Sequence, residues 1–178
     1  MTTKPHAKLV LIVVSLIFAS QAYCGDIEPG NRMSVPDLKW QDSDGNTHHL
    51  KDSSGKPRIL HFWAAWCIPC REEMPQLMQW RNDNPDIEVI CLSLDKRMSQ
   101  TKYFINKHQL TMPALLLDED DADKLDITVV PYTIFVSPDN LFFGQMFGIA
   151  DWENQSFTQQ VYQQFGVTAQ SARLSSSQ

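Results

Sequence analysis

Two runs of nearly unbroken apolar residues stand out along the chain. Residues 58–64 (RILHFWA) and 86–95 (DIEVICLSLD) are bounded by polar turns and read as strands covered on both faces. After Cys67 the period changes. Met74, Leu77, Met78 and Arg81 recur at helical spacing and predict a helix running to about Asn82, with a kink at Pro75. Residues 97–110, carrying Tyr103, Phe104 and Ile105, predict an amphipathic helix, and residues 151–165 a final one. Residues 113–117 predict a short strand. The acidic run 118–126 predicts a solvated helix start, because negative charge suits a helix N-terminus. Residues 133–137 and 141–147 predict strands joined by the Pro138-Asp139-Asn140 turn, hence an antiparallel hairpin. Upstream, residues 37–41 and 47–50 flank Asp44-Gly45-Asn46, a strong hairpin signal.

The order is strand, helix, strand, helix, antiparallel hairpin, helix. A β-α-β unit followed by a β-β-α unit predicts an α/β fold with a mixed central sheet and helices on its faces. Neither an internal repeat nor a second domain is visible.

The first 22 residues follow a different logic. Lys4 and Lys8 precede an apolar run at residues 9–19, and Ser20-Gln21-Ala22 supplies small residues for cleavage. This predicts a secretory signal peptide cut after Ala22 and export to the periplasm. Anchoring to the inner membrane by the same segment is the alternative, although its apolar run is shorter than the roughly 20 residues that span a bilayer. A lipid-anchored Cys24 is disfavoured by bulky Tyr23 before it. Removal of residues 1–22 takes two lysines and no acid, moving the formal charge from −6 to −8. An acidic chain without a basic stripe is a poor partner for nucleic acid. The expected domain spans residues 23–166, and residues 167–178, rich in Ser and Gln, predict a frayed tail.

A domain of this length buries a core without disulfide staples, so its cysteines are open to chemistry. Cys67 and Cys70 lie where a buried strand turns into a helix. Their spacing puts both sulfurs on one helical face near disulfide distance. The first sits beside unpaired backbone N–H groups at the positive end of the helix dipole, which stabilises a thiolate, the species that attacks disulfides. Cys67 is therefore the expected nucleophile and Cys70 the resolving thiol. Half of a zinc site is a weaker reading, since no second pair completes four ligands. An inert bridge is weaker too, because structural disulfides usually close longer loops.

Phe62-Trp63-Ala64-Ala65-Trp66-Cys67-Ile68-Pro69-Cys70 resembles the active-site stretch of the thioredoxin superfamily, most closely its exported TlpA/ResA/DsbE-like branch. Val35-Pro36-Asp37-Leu38 and the Asp44-Gly45 hairpin are similar to that branch's N-terminal extension. Gly55-Lys56-Pro57, Arg71-Glu72-Glu73-Met74-Pro75 and Val129-Val130-Pro131-Tyr132-Thr133 match its lead-in, post-cysteine helix and cis-proline loop. The resemblance implies a thioredoxin fold with an N-terminal β-hairpin extension and a redox-active Cys67–Cys70 disulfide, with no other cofactor and no metal. It implies that Pro131 is cis, and that Trp66, Ile68, Pro69 and the Val130 backbone contact the partner chain. An acid at Glu73 is implied near the pair. Partly buried, it would exchange the proton of the resolving thiol; otherwise it is a surface glutamate. His61 departs from thioredoxin, which has a buried acid there. It reads either as a proton shuttle or as a hydrogen-bonded core histidine. Trp63 and Cys91 read as core. Cys24 is open to disorder, oxidation or pairing with another molecule.

By resemblance the activity is protein-disulfide reduction on exported thiols, as in cytochrome c maturation, recharged by a membrane electron donor of the thiol-reductase type, with the protein a monomer. A net thiol oxidase or disulfide isomerase on the same fold is the first rival. A copper-binding chaperone for respiratory oxidase assembly, using Cys67, Cys70 and a histidine, is the second. A peroxidase reading lacks a matching single peroxidatic cysteine motif.

Overall fold

The computed structural model of the chain describes residues 26–53 and 55–166. The expected signal segment, Cys24 and the expected tail lie outside the described residues. No helix among those described is long and apolar enough to cross a membrane.

The strands are β1 (Glu28–Pro29), β2 (Lys39–Gln41), β3 (Thr47–His49), β4 (Arg58–Trp63), β5 (Glu88–Ser93), β6 (Leu116–Leu117), β7 (Tyr132–Val136) and β8 (Phe142–Phe147). The helices are α1 (Ile68–Asp83), α2 (Met98–Lys107), α3 (Glu119–Lys124) and α4 (Gln155–Gln164). They form a mixed sheet of order β1-β8-β7-β4-β5-β6-β2-β3. The expected α/β thioredoxin fold, with its N-terminal hairpin extension, is present. β2 and β3 pair antiparallel across a turn in which the Asp42 carboxylate accepts from the Asp44 and Asn46 amides. Gly45 supplies the positive φ of 86° that this turn needs.

β4 lies between parallel β5 and antiparallel β7 and is buried along its whole length, which explains its unbroken apolar run. Alternate residues feed two cores. Ile59 and Trp63 face α1, α2 and α4, with Leu77, Phe104 and Val161 among their neighbours. Leu60 and Phe62 face the other layer, with Leu38, Trp40, Leu117 and Ile134. Arg58 begins β4 fully buried. Its guanidinium donates to Leu50 O, Ser137 O and Asn140 Oδ1, acceptors that offset the desolvation of its charge.

Several expectations need adjusting. The segments expected at 97–110, 113–117 and 151–165 are shorter, trimmed to α2, β6 and α4. β1 was not expected; it adds an edge strand by pairing with β8. The acidic run is not wholly solvated. Asp121 is fully buried and accepts from the Lys39 amide and Lys124 Nζ, tying α3 to the hairpin.

The register decides where the chemistry sits. β5 runs parallel to β4 with Trp63 opposite Ser93, so both strands end on the same edge. β7 runs antiparallel with Phe62 opposite Tyr132, so its start lies on that edge. β8 pairs Phe147 with Tyr132, so its exit does too. Four loops distant in sequence therefore converge beside Cys67.

Candidate active site

Cys67 is the N-cap of α1, and Ile68 and Pro69 are its first two helical residues. Proline there removes no helical hydrogen bond, because the first amides of a helix have no partner within it. One amide finds a partner in the cysteine itself: Cys70 N donates to Cys67 Sγ over 3.2 Å. Sulfur thus occupies the place usually taken by a capping hydroxyl or carboxylate. The pair forms a disulfide with its Cα atoms 5.3 Å apart. Cys70 is fully buried and Cys67 retains 4% exposure, so a partner's sulfur can approach only Cys67.

The exit of β4 is held through both backbone polar groups of one residue, Ala65. Ala65 N donates to the buried Asp95 carboxylate at 3.1 and 3.3 Å. Arg71, one turn into α1, donates Nε and Nη2 to Ala65 O at 2.9 and 2.7 Å. Asp95 is steadied in turn by Ser93 Oγ at 2.8 Å and Thr101 Oγ1 at 3.1 Å. Opposite the cysteines, the Val130–Pro131 bond is cis and Cys67 Sγ lies 3.6 Å from Val130 O. Trp66 and Ile68 are 63% and 65% exposed, flanking the pair with apolar surface, and Pro69 is exposed as well.

Glu73 is one turn after Cys70 and fully buried, not a surface glutamate. Its Oε1 accepts from Trp152 Nε1 at 2.6 Å and Ala150 N at 3.1 Å, both from the loop after β8. Its Oε2 has no protein partner. Burial pushes this carboxyl up to about 7, and the two hydrogen bonds hold it back from rising further. His61 lies on the same side of the sheet. Its Nδ1 is 3.0 Å from Thr133 Oγ1, while Nε2 is unpartnered. Burial brings its pKa down to about 3, so the ring is neutral at neutral pH. Cys91, paired in register with His61, is buried. Burial, opposed by Arg81 and reinforced by the Glu73 charge, pushes its thiol up to about 12. Trp63 is core. Among the described residues, no three His, Cys, Asp or Glu side chains converge as a ligand set for a metal ion.

The structure thus gathers Val130, Pro131, Trp66, Ile68 and Pro69 around Cys67, with Cys70 and Glu73 buried behind it and His61 buried in β4 on the same side of the sheet. Asp95, Arg71, Ala150 and Trp152 were not foreseen. Asp95 closes an apolar strand and so carried a faint signal; Trp152, 79 residues from its partner, carried none.

The cysteine-pair site and the fold around it make this chain a thioredoxin-fold thiol-disulfide oxidoreductase, similar to the ResA proteins. It belongs to the AhpC/TSA family, whose model matches residues 32–141. Thiol-disulfide oxidoreductase ResA of Oceanobacillus iheyensis is 29% identical over 139 residues, 73% of this chain and 72% of that one. The thioredoxin domain of a Bacteroides vulgatus thiol-disulfide oxidoreductase superposes with a TM-score of 0.64 at 25% identity, covering 76% of this chain and 99% of that one. A thiol:disulfide interchange protein from Bacteroides sp. gives 0.59 at 28%, covering 64% and 79%.

Proposed function

We propose that the protein is an exported disulfide reductase acting on protein disulfides through Cys67 and Cys70. The Cys67 thiolate, favoured by the helix N-terminus and the Cys70 amide, attacks one sulfur of the client disulfide. That S–S bond breaks, a mixed disulfide forms, and the client's other sulfur leaves as a thiolate and takes a proton from water. Glu73 then accepts the Cys70 proton, and the Cys70 thiolate attacks Cys67 Sγ. The mixed disulfide breaks, the client's second sulfur leaves, and the Cys67–Cys70 disulfide closes. Two electrons pass to the client, and a membrane dithiol donor restores them.

The observation that carries this reading is the buried carboxyl of Glu73, held near neutral pKa one turn from a fully buried resolving thiol. A thiol shut away from water is disfavoured as its thiolate and needs a base to release its client. We assign that proton to Glu73 rather than His61, whose Nδ1 is engaged by Thr133 and whose burial, bringing its pKa down to about 3, makes the ring too weak a base. The exposed Trp66, Ile68 and Pro69, with the Val130 backbone, receive the client chain. Export rests on the lysines and apolar run of residues 1–22.

Equilibration against glutathione or dithiothreitol measures the potential. A value near the thioredoxin range of about −270 mV supports reduction; one near about −120 mV assigns the chain to oxidation. Trapping with Cys70→Ser identifies the client. A haem-binding-site cysteine in the captured segment supports a role in cytochrome c maturation.

A further inference from the structure

α2 lies against the loop that delivers Cys67, and a crevice of about 290 Å³ opens between them. Trp66 and Tyr103, 63% and 65% exposed, form its apolar walls, and Phe104 is buried in its floor. Arg71 and Lys107 stand at its rim. Lys107 Nζ lies 5.6 Å from the centre of the Tyr103 ring. Arg71 is fixed by its hydrogen bonds to Ala65 O, so its charge stays at the crevice next to the redox pair. The one carboxylate lining the crevice, Asp95, is 5% exposed and turned to Ala65 N, Ser93 and Thr101.

Charge along the chain points the same way. The protein carries a formal −6, yet residues 96–117 contain Lys96, Arg97, Lys102 and Lys107 and no Asp or Glu. Of these, Lys107 faces the crevice, while Lys102 donates to Ser43 O on the hairpin side; with Arg71, Lys107 makes this rim basic on an otherwise acidic molecule. The aromatic walls of the crevice suit an extended chain, since exposed rings bury large apolar area against a flat strand.

We propose that this crevice selects clients: it binds an extended segment carrying an acidic side chain within a few residues of the reactive cysteine. The carboxylate sits against Lys107 and Arg71, and an adjacent apolar residue lies across Trp66 and Tyr103. This rests on the oxidoreductase reading and narrows its substrate class. Like other charge pairing at a rim, the preference acts mainly on association and weakens with salt.

The test uses the reduced full chain and two short peptides. Each has one cysteine capped as a mixed disulfide with 2-mercaptoethanol, flanked by Phe and Glu in one and by Phe and Lys in the other. Second-order rates are divided by the rate of dithiothreitol with the same peptide, which removes intrinsic differences between the disulfides. The acidic peptide is expected to react about five- to tenfold faster at low salt, converging with the basic one in 1 M NaCl. Lys107→Glu is expected to abolish or invert the ratio, and Tyr103→Ser to lower both peptide rates. Equal rates at low salt, or a ratio indifferent to Lys107→Glu, overturn the proposal. Bis(2-hydroxyethyl) disulfide, which is uncharged, separates the two levels. If the wild-type protein reduces it but does not discriminate between the peptides, only the crevice assignment falls. If it reduces none of the three, the oxidoreductase reading falls as well.

Discussion

Glu73 on α1 and His61 on β4 are both fully buried on the same side of the sheet, and each has one polar atom without a protein partner. Burial moves them in opposite directions, because it disfavours whichever form is charged. The carboxyl rises to about 7, within reach of physiological pH, while the imidazole falls to about 3, far outside it. The difference lies in support for the ion. Glu73 receives two N–H donors from the loop after β8, which keep its anion accessible. His61 meets a threonine hydroxyl and no carboxylate. A residue type that titrates near neutrality in water is silent here, and one that does not has been brought to neutrality.

The comparison can be broken at its source. Cys67→Ser removes the nucleophile both residues would serve, and client disulfide reduction should fall by about three orders of magnitude or more in a steady-state assay. Residual turnover near wild type would move the chemistry elsewhere.

Glu73→Gln is next. Single-turnover release of the client should slow about tenfold or more at pH 8, and the rate inflection near pH 7 should vanish. Stability gives a second readout. Between an unfolded pKa near 4.5 and a folded pKa near 7 the native state holds a proton that the unfolded chain has lost. Wild-type stability should therefore decline as pH rises through that window and stay low above it. The Gln variant lacks this decline, and urea titrations should find it more stable at pH 8 by about 2–3 kcal/mol. A wild-type curve that is flat from pH 5 to 8 would place Glu73 outside this account.

Trp152→Phe sharpens the contrast with a smaller effect. Losing a donor to the ionised carboxylate should move the Glu73 inflection upward, by up to about one unit, and a downward shift would contradict the geometry. The smallest expected effect belongs to His61. Its ring resonances should stay at their neutral positions from pH 5 to 8 in NMR spectra. Titration within that range would return it to the list of proton carriers.

How much of this the sequence disclosed depended on distance along the chain. β4, α1 and β5 were legible because a strand between two strands is apolar throughout and a helix on a core shows its period. The cysteine pair was legible because spacing and helix position are local. β1 escaped, being two exposed residues whose strand character comes from β8. Asp121 read as solvent-facing because its burial is created by β2, 82 residues away. The acidity of Glu73 was open for the same reason: the donors that define it, Ala150 and Trp152, follow a different strand. Pro131 was placed by its motif, since no local pattern announces a cis bond.

The convergence of the ends of β4, β5 and β8 with the start of β7 has a consequence for how this protein fails. Cys67, Asp95, Val130 and Trp152 are brought together by strand register and by hydrogen bonds between the loops it juxtaposes, with no contiguous segment holding more than a part of the site. A cut or slip in any central strand disassembles the chemistry along with the fold. The dithiol's reactivity thus serves as a gauge of the integrity of the whole domain, and no excised fragment should retain it.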